Sequence, residues 1–260
     1  MSAPGFAGKT VVVTAGTGPI GRSVCDIFSK HGASVAVCGQ DGGAAREYAC
    51  TLRELGRDAA GFEVDHGRRV ELAGACEAII KRFGRIDVLI NNENAALLPQ
   101  ERLPLHAFDM ARCEAIVNQG IKGFFTFSQC CMQNMALRKS GCVVNITSVR
   151  GLVPVANQTP VVAVSAAVIG MTKMWGMELK DVCIRVNAIA AGMTADEVNP
   201  ASKTPEDNQR GLAHLAIRRP VKPEELAGAA LFLASDAAGY ITGAVLPVDG
   251  GLSAGYVRSF

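Results

Sequence analysis

Seven short β-branched runs punctuate this 260-residue chain, with helix-periodic stretches between them. They read TVVVT at 10–14, SVAVC at 34–38, GFEVD at 61–65, IDVLINN at 86–92, CVVNIT at 142–147, IRVNAIA at 184–190 and AVLPVD at 244–249. Several are continuously apolar instead of alternating, the pattern of parallel strands covered on both faces and joined by crossover helices. The expected class is therefore α/β, a doubly wound, seven-stranded parallel sheet flanked by helices. A chain of this length buries roughly 75% of its unfolded surface around one core, and no linker or low-complexity stretch divides it, so a single domain over 1–260 is expected. Residues 193–211, MTADEVNPASKTPEDNQRG, are rich in polar and turn-forming types and follow the sixth strand. On that side open α/β sheets bind ligands, so a substrate lid over about 193–216 is expected.

Composition removes several function classes. Charged residues are 19%, the net charge is +2, and Lys and Arg are scattered, so no nucleic-acid partner is expected. The first ten residues hold no apolar signal-like core, and no apolar run is seen to approach the ~18 residues that cross a bilayer. No membrane association is expected, and a cytoplasmic location is. Nine cysteines at irregular spacing, with no CxxC, and four histidines far apart (His31, His66, His106, His214) read as reduced thiols and no metal site.

After the first strand comes Thr14-Ala15-Gly16-Thr17-Gly18-Pro19-Ile20-Gly21, leading into a helical pattern. This is GxGxxG between a strand and a helix, where glycines let backbone amides approach a pyrophosphate and the helix N-terminus supplies positive partial charge. Gly16, Gly18, Ile20 and Gly21 are the candidate cofactor contacts. The alternative is a tight strand-to-helix turn that never holds a nucleotide. Pro19 has no N–H to offer, though it suits a first helical position. Cys38-Gly39-Gln40, ending the second strand, offers neither an acid for a ribose 2′-hydroxyl nor an arginine for a 2′-phosphate. NAD, NADP or no cofactor at all remain open.

Further segments carry a resemblance: Asp87-Val88-Leu89-Ile90-Asn91-Asn92, Val143-Val144-Asn145-Ile146-Thr147-Ser148, Ile184-Arg185-Val186-Asn187-Ala188-Ile189, and the closing Pro223-Glu224-Glu225, Ile241-Thr242-Gly243 and Val248-Asp249-Gly250-Gly251. On these the chain resembles, nearly end to end, the classical short-chain dehydrogenase/reductases, whose fold is of the Rossmann kind. The resemblance implies Asp65 and Asn91 as further cofactor contacts. It implies a catalytic set of an Asn, a Ser, and a Tyr-x-x-x-Lys pair thirteen and seventeen residues after the Ser. Asn118 and Ser148 match the first two. The tyrosine and lysine positions are Val161 and Ser165, and Tyr48, Tyr240 and Tyr256, the only tyrosines, cannot be slipped into place. In the family the phenol exchanges a proton with the substrate oxygen while the ammonium lowers its pKa and holds the nicotinamide ribose. Val161 and Ser165 can do neither, and losing a general acid alone removes ~10²–10⁴ of rate.

The cofactor side departs as well. Ala15 and Pro19 replace glycines of the family's TGxxxGxG, and Glu93 and Asn94 replace the last two residues of its NNAG; a Glu93 facing a pyrophosphate repels it. Thr159 is expected to cap and Pro160 to open a helix presenting Val161, Val164, Val168 and Met171 as an apolar assembly face. The resemblance implies that this helix and the one bearing Asn118 build the main interface of a tetramer. A catalytically silent subunit is expected, in a homo- or hetero-oligomer with other members of the family, with an active paralogue such as a hydroxyacyl-CoA dehydrogenase as one such partner. Two alternatives stand beside it. One is non-redox chemistry (lyase, isomerase or cyclase) in the old pocket, drawing on Ser148, Asn118, Glu93, His106 and His214. The other is an atypical NAD(P)-dependent oxidoreductase in which a water or Tyr256 from a neighbour replaces the lost phenol.

Overall fold

A computed structural model of the chain describes residues 5–92, 103–195, 212–213 and 215–255. All seven expected strands form: β1 (Thr10–Val13), β2 (Ser34–Gly39), β3 (Ala59–Glu63), β4 (Val88–Asn91), β5 (Gly141–Ser148), β6 (Ile184–Ala191) and β7 (Val245–Val248). They make one parallel sheet in the order β3-β2-β1-β4-β5-β6-β7. Order reverses between β1 and β4, the switch point at which open α/β sheets take ligands. The third strand begins two residues before the run GFEVD.

Helices cover both faces: α1 (Pro19–Lys30), α2 (Gly42–Glu54) and α7 (Pro223–Ala234) on one, α3 (Leu72–Phe83), α5 (Phe124–Ala136) and α6 (Thr159–Glu178) on the other. The alternation of a strand's side chains explains why the runs are continuously apolar. Val11 and Val13 enter the core beneath α1, whereas Val12 enters the core beneath α5. A helix α4 (Met110–Val117) continues through a π turn, Asn118–Gly123, into α5.

α6 differs from expectation in three ways. Its N-cap is Gln158, with no side-chain cap bond, so Thr159 is already helical and does not cap. Val161, Val164 and Val168 are buried within the subunit, Val168 and the partly buried Met171 against the α3/α5 core and Val164 against Ile116, so that face closes the fold and does not serve assembly. The outward face carries Ala163, Ala166, Gly170, Met174 and Met177. Lastly, by length and composition these twenty residues could span a bilayer, contrary to the sequence expectation, but half of the apolar window is buried in the fold. An apolar helix with one face on its own core and another exposed is a packing element of a globular subunit.

Candidate functional site

The loop after β1 is held from beneath. Gly16 N–H donates to the Cys38 carbonyl at 2.7 Å, and Gly18 N–H to that of Ala15 at 3.2 Å. Ala15 sits at φ 45, a left-handed conformation that costs an L-residue roughly 1–2 kcal/mol. Gly21 is demanded by packing, since a Cβ there would lie 2.1 Å from the Ala15 carbonyl oxygen. Gly18 caps α1 without a side chain, and Pro19 opens it. The next two amides, Ile20 and Gly21, have no acceptor one turn earlier within the helix.

At the far side of β2, the Asp65 carboxylate accepts from Gly67 N–H at 2.8 Å, Arg68 Nε at 3.2 Å and Gln40 Nε2 at 3.4 Å. Arg68 also pairs with Glu63 and Glu71. His66 follows Asp65 and is buried, its ring 5.7 Å from that of Phe127. Burial pushes its pKa down to about 4, while the Asp65 charge pulls the other way. A histidine held neutral in the fold but protonated when unfolded costs stability as pH falls through 6.5, and the loss levels off near 4. We expect unfolding free energy to drop by about 3 kcal/mol over that window. Urea titrations of His66→Leu should show a shallower slope there, and an unchanged slope would contradict the assignment.

The Asn91 side chain is engaged in the interior. Its side-chain amide donates to Ser128 Oγ at 3.0 Å and Asn145 Oδ1 at 2.9 Å, and Asn145 donates to Thr172 Oγ1 at 2.9 Å. This buried relay ties β4 and β5 to α5 and α6. Asn92 continues the chain toward the loop, its N–H donating to Thr14 Oγ1 at 2.8 Å.

Ser148 ends β5, and its Oγ accepts from Arg150 N–H at 3.2 Å. Val161 and Ser165, one helical turn apart on α6, are both buried. The Val149–Gly151 turn lies on Ser165, for a Cβ at Gly151 would be 2.8 Å from the Ser165 carbonyl carbon. Ser165 Oγ is buried without a hydrogen-bond partner. Tyr48 is committed to α2, donating to the Arg22 carbonyl at 3.0 Å, and Tyr240 is fully exposed.

Asn118 is not buried with these residues. It is exposed at the first residue of the π turn, while Ile116 and Gly120 are the buried neighbours on that stretch. His106 is exposed in a turn before α4. Glu93, Asn94, His214, Tyr256 and lid residues 196–211 lie outside the described residues. Sequence reasoning overlooked Arg150, whose side chain is only 4% exposed. The signal was available as one cation two residues beyond Ser148 in the otherwise uncharged stretch CVVNITSVRGLVPV.

The family model described as enoyl-(acyl carrier protein) reductase matches residues 15–253. The chain belongs to the short-chain dehydrogenase/reductase family. It is 34% identical over 253 residues to 3-oxoacyl-[acyl-carrier-protein] reductase of Thermotoga maritima, covering 94% of this chain and 98% of that one. It is 30% identical over 244 residues to 7alpha-hydroxysteroid dehydrogenase of Escherichia coli, covering 94% of each. Among solved structures, a gluconate 5-dehydrogenase from Burkholderia cenocepacia in complex with NADP and tartrate superposes with TM-score 0.90 at 27% identity, over 96% of this chain and 97% of that one.

Against the dinucleotide such a fold implies, the residues fit at one end only. The Ile20 and Gly21 amides at the start of α1 suit a phosphate oxygen. At the other end Ser165 brings no ammonium for a ribose, and Val161 no phenol for a carbonyl. The residues do not fit a nicotinamide held for hydride transfer.

Proposed function

We propose that this chain is a redox-silent subunit of a short-chain dehydrogenase/reductase assembly, working as a single unit over residues 1–260 in the cytoplasm. The observation that carries the reading is the α6 face beside Ser148, where the positions of the proton-transfer pair hold a buried isopropyl and a buried hydroxyl. Ser148 and Arg150 remain, which is a binding site without an acid of suitable pKa.

Assembly is the retained property. Met174 and Met177 on α6 and Phe125 on α5 are exposed, and the Phe125 ring lies 5.8 Å from Trp175, joining the two helices into one apolar surface. Other copies, or an active paralogue carrying Tyr-x-x-x-Lys, pack on this surface in a homo- or hetero-tetramer. Light scattering after size exclusion tests it. The wild-type chain should run as an oligomer and Met174→Glu as a species near 27.2 kDa, since a buried unpaired carboxylate at an interface costs several kcal/mol. A monomeric wild type, or an unaffected Met174→Glu oligomer, would remove α6 from the interface.

A further inference from the structure

We propose that Cys76 and Cys131 form an intramolecular disulfide between α3 and α5 when the chain meets hydrogen peroxide, with Cys76 as the attacking thiol. The proposal is independent of the redox-silent reading, since neither cysteine belongs to the group around Ser148. Cys76 lies on α3 and Cys131 on α5, and both enter the apolar cluster that these helices share with the sheet. There the two thiols meet, the Cys131 S–H donating to the Cys76 sulfur. Cys130 and Cys38 lie close enough to act electrostatically on Cys131. Four of the nine cysteines, scattered along the sequence, are gathered here from α3, α5 and β2.

A lone buried cysteine serves as a small apolar side chain. Two in contact can also react, because a sulfenic acid formed on one has a resolving thiol beside it. The roles follow from the hydrogen bond. It holds the Cys76 thiol below its usual pKa, against burial and the nearby Glu77 charge, and raises that of Cys131. The thiolate is the nucleophile, so Cys76 attacks and Cys131 resolves. The Cys76 sulfur breaks the O–O bond and keeps one oxygen as a sulfenic acid, while the other leaves as water. The Cys131 sulfur then displaces the sulfenic hydroxyl as a second water and the S–S bond forms. Two thiols give up two electrons and two protons, and one peroxide is reduced to two waters. Cys76 is 3% exposed and Cys131 wholly buried, which favours a small neutral oxidant over a bulky disulfide. The bond would close the chain from 76 to 131 into a loop and so constrain the unfolded state.

Peptide mapping of the full chain tests this. The protein is treated with a slight molar excess of hydrogen peroxide, denatured in iodoacetamide and cut with trypsin without reductant. Peptide 70–81 should appear joined to peptide 123–138, and dithiothreitol should separate them. Peptide 123–138 also holds Cys130, so Cys130→Ser must keep the link, whereas Cys76→Ser and Cys131→Ser must lose it. Should either of the last two not fold, alanine at the same position, with no hydroxyl to bury, takes its place. The linked chain should unfold at a higher urea concentration than the reduced one. A link through Cys130, a bond between Cys130 and Cys131, oxidation confined to the exposed Cys50 and Cys183, or a lower urea midpoint in the linked chain would overturn the proposal.

Discussion

Gly123→Ala should lower stability by about 3 kcal/mol and the melting temperature by about 10 °C. A Cβ at Gly123 would stand 2.1 Å from the His66 carbonyl oxygen and 2.7 Å from its carbonyl carbon. These are backbone atoms, fixed between β3 and the following turn, so α5 must move away from the sheet to make room. That movement would disturb the Phe127 contact with His66 and the Ser128 end of the Asn91 relay. Gly74→Ala is the control. Gly74 is exposed within α3 and a Cβ there meets nothing within 4 Å, so alanine's better helix propensity should raise stability by about 0.5–1 kcal/mol. Urea denaturation of the three proteins measures both effects, and equal losses would mean that the α5 contact does not constrain the fold.

The contrast between those glycines bears on what the sequence could convey. The strands were legible because β1, β4 and β5 bury both faces, which leaves runs such as VVV and VLI with no polar alternation. The start of β3 was less so, because its burial is partial from Ala60 onward and Ala59 and Ala60 carry little strand signal. The π turn over Asn118–Gly123 was not legible either, since nothing in the residue pattern marks the change of winding that buries Gly120 and Gly123.

Which apolar face of α6 looks inward was also hidden. The helix is apolar nearly all round, so periodicity could not choose between Val161-Val164-Val168 and the Ala163-Ala166-Gly170 side. Only the contact with Ile116 and the α3/α5 core decides it. Arg150 escaped notice because arginine is usually exposed, and burial at a strand end is not visible in composition. The loss of the phenol and ammonium, by contrast, is a matter of residue identity at a spacing fixed from Ser148. The structure adds that Val161 and Ser165 both face inward, where the missing groups would be needed.

The second large effect concerns rate. Removing a positioned general acid costs ~10²–10⁴, and removing the adjacent cation adds to it. Neither Tyr48 nor Tyr240 is placed to compensate, the one bonded to Arg22 and the other in solvent. Arg150 cannot substitute as an acid, since a guanidinium does not release its proton in this pH range. Polarisation of a carbonyl by Arg150 would still leave the alkoxide without a proton donor.

The direct measurement is turnover by the purified chain, free of any companion subunit, with NADH or NADPH and a 3-oxoacyl thioester, run beside a relative that carries Tyr-x-x-x-Lys. The rate should be lower than the relative's by at least about 10²-fold and unchanged by Ser148→Ala. A rate matching the relative, abolished by Ser148→Ala, would contradict it.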